Sequence, residues 1–499
     1  MRLDYLLDGQ QILEHRGKTD IEIKGIAADS RKVKDGYVFV AIKGSRENGH
    51  GYLTDAVRKG ARALVVQDAE MGLIGETVVR LPDTRGALFD LADRFYDYPA
   101  RHMDLIGITG TNGKTTTSYL LEAILTEAGK EVGVIGTINY RFKGNSFDAS
   151  LTTPDPIDLM RLMREMRDAG VTHVIVEVSS HSLDQGRTQG LPWSRAVFTS
   201  FSRDHLDYHS SMEEYFRAKS LLFDSLKETQ HNGEVRAILN MDDPKGQALE
   251  SMTKVPVVSY GLENRWLVRA ADIESTLQGL RFRLMSSEGE TVVTSPLLGR
   301  INVYNTLAAA ATGLTYGIEL KTIARGIQCL SSVPGRLERV QNKKGLFILV
   351  DYAHTPDALE KALQTVRELT EARVITVFGC GGDRDRGKRP QMGRIAGDYS
   401  DLAIITSDNP RGEDPEHIVS EIEPGAREAG LHAIDLDSSH TSRGYLVIID
   451  RKQAIRAAMD VAHKGDIVLI AGKGHEHYQI IGKTKRYFND VEEAALAAR

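Results

Sequence analysis

Apolar positions follow two rhythms along this 499-residue chain. Short unbroken runs of β-branched and aliphatic residues, bounded by glycine or proline, read as buried strands, and apolar residues spaced three and four apart read as amphipathic helices. In the first block "GYVFVAIKG" (36–44) and "RALVVQ" (62–67) are strands around the helical "YLTDAVRKG" (52–60), and Pro99 closes the block. From Met103 the strands "MDLIGITG", "THVIVEVSS" and "RAVFTS" alternate with helices such as "TTTSYLLEAILTEAG" (115–129), the pattern of parallel βαβ units. A break at "SSVPGRLERV" (331–340) precedes a third block with strands "RVITVFG", "DLAIITS" and "DIVLIAGKG". The pattern predicts an α/β protein of three domains, 1–98, 99–333 and 334–499. Ligands of open parallel sheets gather at the carboxyl ends of strands, so binding residues are expected in the loops that follow these runs.

Composition narrows the function. Hydrophobic residues make up 41% and charged residues 26%, the mix of a soluble globular protein. The net charge is -6 with Lys and Arg scattered, which offers no basic patch for a nucleic acid backbone. Two cysteines, Cys329 and Cys380, cannot build a disulfide framework or a cysteine-rich zinc site. The start "MRLDYLLDGQQIL" is acidic, and no run of 18 apolar residues occurs, so neither a signal peptide nor a membrane span is expected. The expectation is a cytoplasmic enzyme.

The strongest chemical signal is "GITGTNGKTT" (107–116), leaving a strand and entering a helix. Backbone amides of such a loop wrap a polyphosphate at a helix N-terminus. The fit to G-x-x-x-x-G-K-[ST] is imperfect, because Ile108 stands five before Gly113 and the glycine falls at 107 or 110. Gly110, Thr111, Asn112, Gly113, Lys114, Thr115 and Thr116 are the expected ATP loop, with Lys114 as cation and the Thr115 hydroxyl for Mg2+. Glu177, at a strand end, can hold Mg2+ or be a solvated acid. Spacing leaves "RDHLDYHSSMEEYFRAK" open: His205 and His209 read as caps, packed rings or ligands, and Lys219 beside Glu213 and Glu214 reads as a solvated helix face.

"TGTNGKTT", "EVSSHSL", "DHLDYH", "MEEYFRAK", "GRINVYNTLAA", "PGRLE", "DYAHTPDAL", "GGDRDRGKRP", "DNPRGEDP" and "AGKGHEHYQ" together resemble the Mur ligase family, in the family's order along nearly the whole chain. The resemblance implies a UDP-binding N-terminal domain, a central P-loop ATPase and a Rossmann-like C-terminal domain. It implies ATP-dependent joining of meso-2,6-diaminopimelate to UDP-N-acetylmuramoyl-L-alanyl-D-glutamate, with Mg2+, through an acyl phosphate. It makes Lys219 a carbamate and, with Lys114, Glu177 and His205, catalytic; Thr115, Glu177, His205 and carbamylated Lys219 would hold metal. Asn302, Asn305, Arg336 and Asp351 would meet the nucleotide. Ser30, Thr152, Thr153, Ser179, Gln185 and Arg187 would meet the UDP precursor. The sequence departs from the family in "FTSF", where Ser200 stands in place of the usual asparagine.

One arginine discriminates within the family. In "SDNPRGEDPEHIV" (407–419), Asp414 and Pro415 read as helix cap and first helical residue, which leaves Arg411 without a structural task unless it pairs with Glu413. A guanidinium binds a carboxylate bidentately. The resemblance therefore points to the second carboxylate of diaminopimelate at Arg411, with Arg384, Asp408, Asn409, Pro410, Gly472 and Glu476 as neighbours. The rival readings are a folate-glutamate ligase of the same superfamily, a P-loop switch or motor, and a binding protein without catalysis. No N-K-x-D motif or basic stripe supports the switch. A monomer is expected.

Overall fold

The apolar runs become the central strands of mostly parallel sheets, and the α/β expectation holds. The computed structural model describes residues 1–44, 47–68, 77–227, 234–440 and 442–499. By its internal contacts the chain forms two units. One comprises Met1–Arg269, Met285–Gly289 and Tyr304–Gly326; the other comprises Ala270–Leu284, Glu290–Val303 and Ile327–Arg499.

The first unit holds two sheets. Near the N-terminus the strand order is Glu14–Arg16, Thr77–Arg80, Ala61–Val66, Tyr37–Val40 and Gly25–Ala27, parallel except for the first. The second sheet is built on six parallel strands in the order Val257–Gly261, Arg236–Asn240, Trp193–Phe198, Asp104–Thr109, His173–Glu177 and Val132–Ile135. Two antiparallel strands, Asn139–Phe142 and Asn145–Asp148, extend it beyond Val132–Ile135. The strands Asp104–Thr109 and His173–Glu177 lie in register, with Glu177 opposite Ile108, and Phe198 pairs with Thr109. Three carboxyl ends therefore meet at one level.

A helix explains why the two sheets share a unit. Thr84–Phe95 is capped by Asp83, whose side chain accepts from the Arg85 amide. Its Leu88 and Leu91 enter the core of the N-terminal sheet, while Phe89 and Ala92 enter the central core beside Leu159 and Met163. Lys32 adds a 2.9 Å ion pair to Asp158.

The second unit is a doubly wound sheet in the order Glu338–Val340, Phe347–Asp351, Ile467–Ala471, Val374–Phe378, Leu402–Ile405 and Gly444–Val447, parallel except at the Glu338–Val340 edge. Met392, Ala396, Ile418 and Ile422 cover one face, and Ala454, Ile455, Met459 and Ala494 cover the other. Both faces are dry, which is why these strands read as continuous apolar runs rather than alternating ones.

Phe89 is 3% exposed and sits in the central core, on a helix whose other face enters the N-terminal core. Phe89→Ala is expected to lower stability by about 3–5 kcal/mol, read as a fall in the urea midpoint of the first unit.

Candidate active site

The phosphate-type loop leaves the fully buried end of Asp104–Thr109 and enters the helix Lys114–Glu127. Two of its glycines are obligatory. Gly110 has φ +147° and a Cβ there would fall 2.0 Å from Thr199 Oγ1; Gly113 has φ +90° and a Cβ would fall 2.4 Å from Asn305 Oδ1. Thr111 and Tyr215 meet hydroxyl to hydroxyl at 3.1 Å, and the Thr111 amide donates to the Ser200 carbonyl at 2.7 Å. Ser200 also links Asn112 through two 3.2 Å bonds, so the shorter side chain still braces the loop. Lys114 Nζ donates to the Gly110 and Thr111 carbonyls at 2.8 and 2.9 Å. Thr116 is buried in the first helical turn.

Glu177 is 1% exposed and lies beside that turn. Its carboxylate accepts from the hydroxyls of Thr115 (2.8 Å), Thr137 (2.8 Å) and Ser118 (3.3 Å), and from the Thr137 amide (3.2 Å). Gly136 allows this approach, since a Cβ there would meet Glu177 Oε1 at 2.3 Å. Among the described residues no three His, Cys, Asp or Glu side chains converge as a metal site; the donors that gather here are one carboxylate and hydroxyls.

Lys219 contradicts the solvated-face reading. It is 1% exposed, its Nζ donates to the Gly110 carbonyl at 2.8 Å, and it lies 4.5 Å over the Tyr215 ring. Burial, and then Lys114, push its pKa well below the usual lysine range, so it tends toward the neutral amine. The sequence carried a signal for this: Tyr215, Ala218, Lys219, Leu222 and Phe223 are all buried and stand at i, i+3, i+4, i+7 and i+8 along the helix Met212–Asp224. His205 has left-handed backbone at φ +53°, and its ring is 5.8 Å from Tyr215. Burial lowers its pKa, with Lys114 and Lys219 adding to the effect and Asp204 opposing it. His209 is buried and bonds Ser180 Oγ at 3.0 Å. His181 packs 5.0 Å from His205 and 4.1 Å from Tyr208; burial, then His205 and His209, take its pKa down to about 4.

A second group of hydrogen bonds grows outward from Glu177. Thr153 Oγ1 donates to the Glu177 carbonyl (2.8 Å) and accepts from the Ser179 amide (3.1 Å), while Thr152 meets Thr137 hydroxyl to hydroxyl at 3.2 Å. Arg187 donates to the Thr153 carbonyl at 2.9 Å and to Gln185 Oε1 at 3.0 Å. These five expected precursor residues are thus one network. Ser30 is apart from it, in the short turn Ser30–Lys32, where its carbonyl accepts from Lys59.

In the second unit the loops after Val374–Phe378, Leu402–Ile405 and Ile467–Ala471 carry the remaining acidic and basic residues. The Glu413 pairing expected as the bland alternative for Arg411 is absent: Glu413 bonds Arg389 twice, at 2.9 and 3.0 Å, and also the Asp383 amide. Arg411 Nη1 reaches only the carbonyls of Gly382 (2.9 Å) and Asn409 (3.4 Å), and no carboxylate among the described residues pairs with it. Its φ of +52° is held by the hairpin strand Tyr478–Ile481: the Arg411 amide donates to the Ile480 carbonyl and the Gly482 amide to the Arg411 carbonyl, at 3.1 and 2.7 Å. Arg384 lies beside it, since a Cβ on Gly381 would meet Arg411 Nη1 at 2.8 Å and Arg384 Cγ at 3.8 Å. Pro410 is buried, its carbonyl against Gly382. Asp408 lies against Gly472, where a Cβ would be 2.5 Å from Asp408 Oδ2, and Asn409 Nδ2 donates to Glu476 Oε2 at 3.0 Å. Asp351 receives the Leu337 and Ala353 amides at 2.8 Å each, and Arg336 lies 5.6 Å from the Tyr352 ring. Asn302 bonds the Leu298 carbonyl at 2.7 Å, while Asn305, three residues on, faces Gly113.

Sequence reading missed Ser118, Thr137, Thr199 and Tyr215. Thr137 was findable, because "GVIG" ends a strand next to the one ending in Glu177 and is followed directly by a hydroxyl residue.

Comparison with known proteins agrees across the length. Residues 22–96 match the Mur ligase family catalytic domain, 108–313 the Mur ligase middle domain, and 335–474 the Mur ligase glutamate ligase domain. A protein of Geobacter metallireducens named UDP-N-acetylmuramoyl-L-alanyl-D-glutamate–2,6-diaminopimelate ligase is 47% identical over 100% of this chain and 98% of its own length. A Geobacillus kaustophilus protein of the same name is 45% identical over 98% and 96%. A solved structure of a ligase of that name aligns with TM-score 0.69 at 33% identity, covering 100% of this chain and 98% of the other. MurF from Acinetobacter baumannii, at 21% identity and TM-score 0.66 over 95% of each chain, shares the fold.

The neutral His181 gives a pH signature. Its folded pKa of about 4 lies below the unfolded value of 6.5, so the unfolded chain binds the proton first and stability falls as pH drops from 6.5 toward 4. His181→Gln is expected to flatten that limb of a melting-temperature profile.

Proposed function

The chain belongs to the Mur ligase family, and from that premise we propose that it is an ATP-dependent amide ligase joining meso-2,6-diaminopimelate to the D-glutamate γ-carboxylate of UDP-N-acetylmuramoyl-L-alanyl-D-glutamate. The observation that carries the choice of amino acid is Arg411: a guanidinium clamped in strained backbone, beside Arg384, with its neighbouring acid Glu413 committed to Arg389. Lysine lacks the carboxylate such a pair would meet. With lysine bound, a desolvated guanidinium would have no counter-charge.

The chemistry follows from the stability of the reactants. A carboxylate and an ammonium in water form a salt, so the acid must first be activated. The γ-carboxylate attacks the γ-phosphorus of ATP, ADP leaves, and an acyl phosphate forms; the amine then attacks the acyl carbon and expels inorganic phosphate. The protein contributes positioning and charge stabilisation. The backbone amides of Gly110–Thr116 and the Lys114 ammonium serve the phosphates, with Asn302, Asn305, Arg336 and Asp351 assigned to the rest of the nucleotide. Thr152, Thr153, Ser179, Gln185 and Arg187 orient the precursor near Glu177, and Ser30 serves its uridine end.

The donor chemistry fits Mg2+. The Thr115 hydroxyl and Glu177 carboxylate are hard oxygen donors that meet at 2.8 Å. His205 and Lys219 complete the assigned set. The neutral Lys219 amine is the form that adds to CO2, releasing a proton and becoming an anionic carbamate. Mg2+ held there supplies charge neutralisation for the converging phosphates and carboxylate. Domains 1–98, 99–333 and 334–499 are assigned to the UDP precursor, ATP and the amino acid in that order. No helix among the described residues is long and apolar enough to cross a membrane, and a cytoplasmic monomer is the assigned working form.

Phosphate release with meso-diaminopimelate should exceed that with L-lysine by about 10³–10⁴ in kcat/KM; equal rates would overturn the assignment. Arg411→Ala should raise KM for the diacid by about 10²-fold and leave KM for ATP nearly unchanged. Oxygen-18 placed in the precursor carboxylate should appear in the released phosphate.

A further inference from the structure

Lys473 is a buried cation of the second unit that the proposed reaction leaves without a task. Its side chain has no solvent exposure. Its Nζ donates to Asn409 Oδ1 and to Glu476 Oε2, both at 3.1 Å, and stands 3.8 Å from Asp408 Oδ1. Asn409 closes the ring by donating from Nδ2 to the same Glu476 oxygen at 3.0 Å, and its Oδ1 takes a second bond from the Ile480 amide at 2.9 Å. Three side chains from two loops are thereby fixed by one ammonium. Arg451, also buried, cannot replace it, because it bonds Asp490 at 2.7 and 2.8 Å.

We infer that Lys473 is a positioning residue for the amino-acid pocket, setting the orientation of Asn409 and Glu476 toward the amino acid without touching it. The inference rests on the assignment of these loops to diaminopimelate. Its physical content is directional. The ammonium and the Ile480 amide make the Asn409 carbonyl an acceptor on the inner side, which turns the amide nitrogen toward Glu476. Without the ammonium, Glu476 Oε2 keeps the Asn409 donor, and the Asp408 and Glu476 carboxylates lose the charge between them. An unmatched buried carboxylate either draws in water or turns away. In both cases the acceptor side of the pocket moves relative to Arg411, which the hairpin holds independently through backbone bonds.

The test is steady-state kinetics on the full-length protein. Lys473→Met is expected to raise KM for meso-diaminopimelate about tenfold or more, with KM for ATP and for the UDP precursor within about twofold, because one lost charged hydrogen-bond set is involved. Glu476→Gln provides a background in which Lys473 keeps Asp408 as its counter-charge and residue 476 carries none, and so a variant expected to fold. In that background Lys473→Met should add clearly less than the tenfold it causes alone, since the contact to residue 476 is shared while those to Asn409 and Asp408 are still lost. A single variant whose KM for the diacid stays within twofold of wild type overturns the inference, as does a full tenfold effect persisting in the Glu476→Gln background. Wild-type protein that releases no phosphate with meso-diaminopimelate overturns the function itself. The two failures are therefore separable.

Discussion

The geometry of the first unit depends on one carboxylate kept out of water. Glu177 accepts four hydrogen bonds, three of them from hydroxyls: two donors come from Thr137 beyond a neighbouring strand and two from Thr115 and Ser118 on one face of the phosphate-loop helix. Burying such a group without partners costs several kcal/mol, so its surroundings are constrained: Gly136 cannot carry a side chain, Thr115 must fall on the first helical turn, and Thr137 must follow its strand with Gly136 alone between. The same residue extends the order outward, since its own carbonyl holds Thr153 and through it Ser179 and Arg187. The phosphate-type loop and the Thr153–Arg187 hydrogen-bond network are thus two sides of one strand end.

The two units handle buried positive charge differently. Lys219 is surrounded by a carbonyl, an aromatic face and another lysine, which favours the neutral amine. Arg451 cannot lose its proton and is matched by Asp490 instead, with both side chains fully buried. Lys473 is bonded by an amide and a carboxylate, with a second carboxylate 3.8 Å away. The surroundings of Lys219, Arg451 and Lys473 differ by their neighbours rather than by residue type.

Much of this was legible in the sequence because the carriers are local. A strand, a glycine turn and a helix in succession make the loop at 110–116 readable from one stretch, and unbroken apolar runs identify sheets covered on both faces. What was hidden depends on contacts between distant segments. Lys219 was misjudged by composition because Glu213 and Glu214 precede it, although its helical phase places it with Tyr215 and Phe223 on the buried stripe. Thr199 and Tyr215 matter only because their strand and helix flank the loop, which no spacing reveals. The merging of the first two expected blocks into one unit follows from Phe89 and Ala92 on a helix that has two apolar faces. Arg411 was identifiable by elimination, yet that Glu413 prefers Arg389 is a fact of three dimensions.

The hairpin at Tyr478–Ile481 gives the arginine loop a property beyond recognition. The left-handed turn at Arg411 is stabilised from a segment far along the chain, and Ile480 and Asn409, which bond directly, are separated by 71 positions. Grafting the short arginine motif into a related scaffold would therefore transfer its letters without its shape. Any redesign that exchanges the amino acid this ligase accepts must move both segments as a single inherited module.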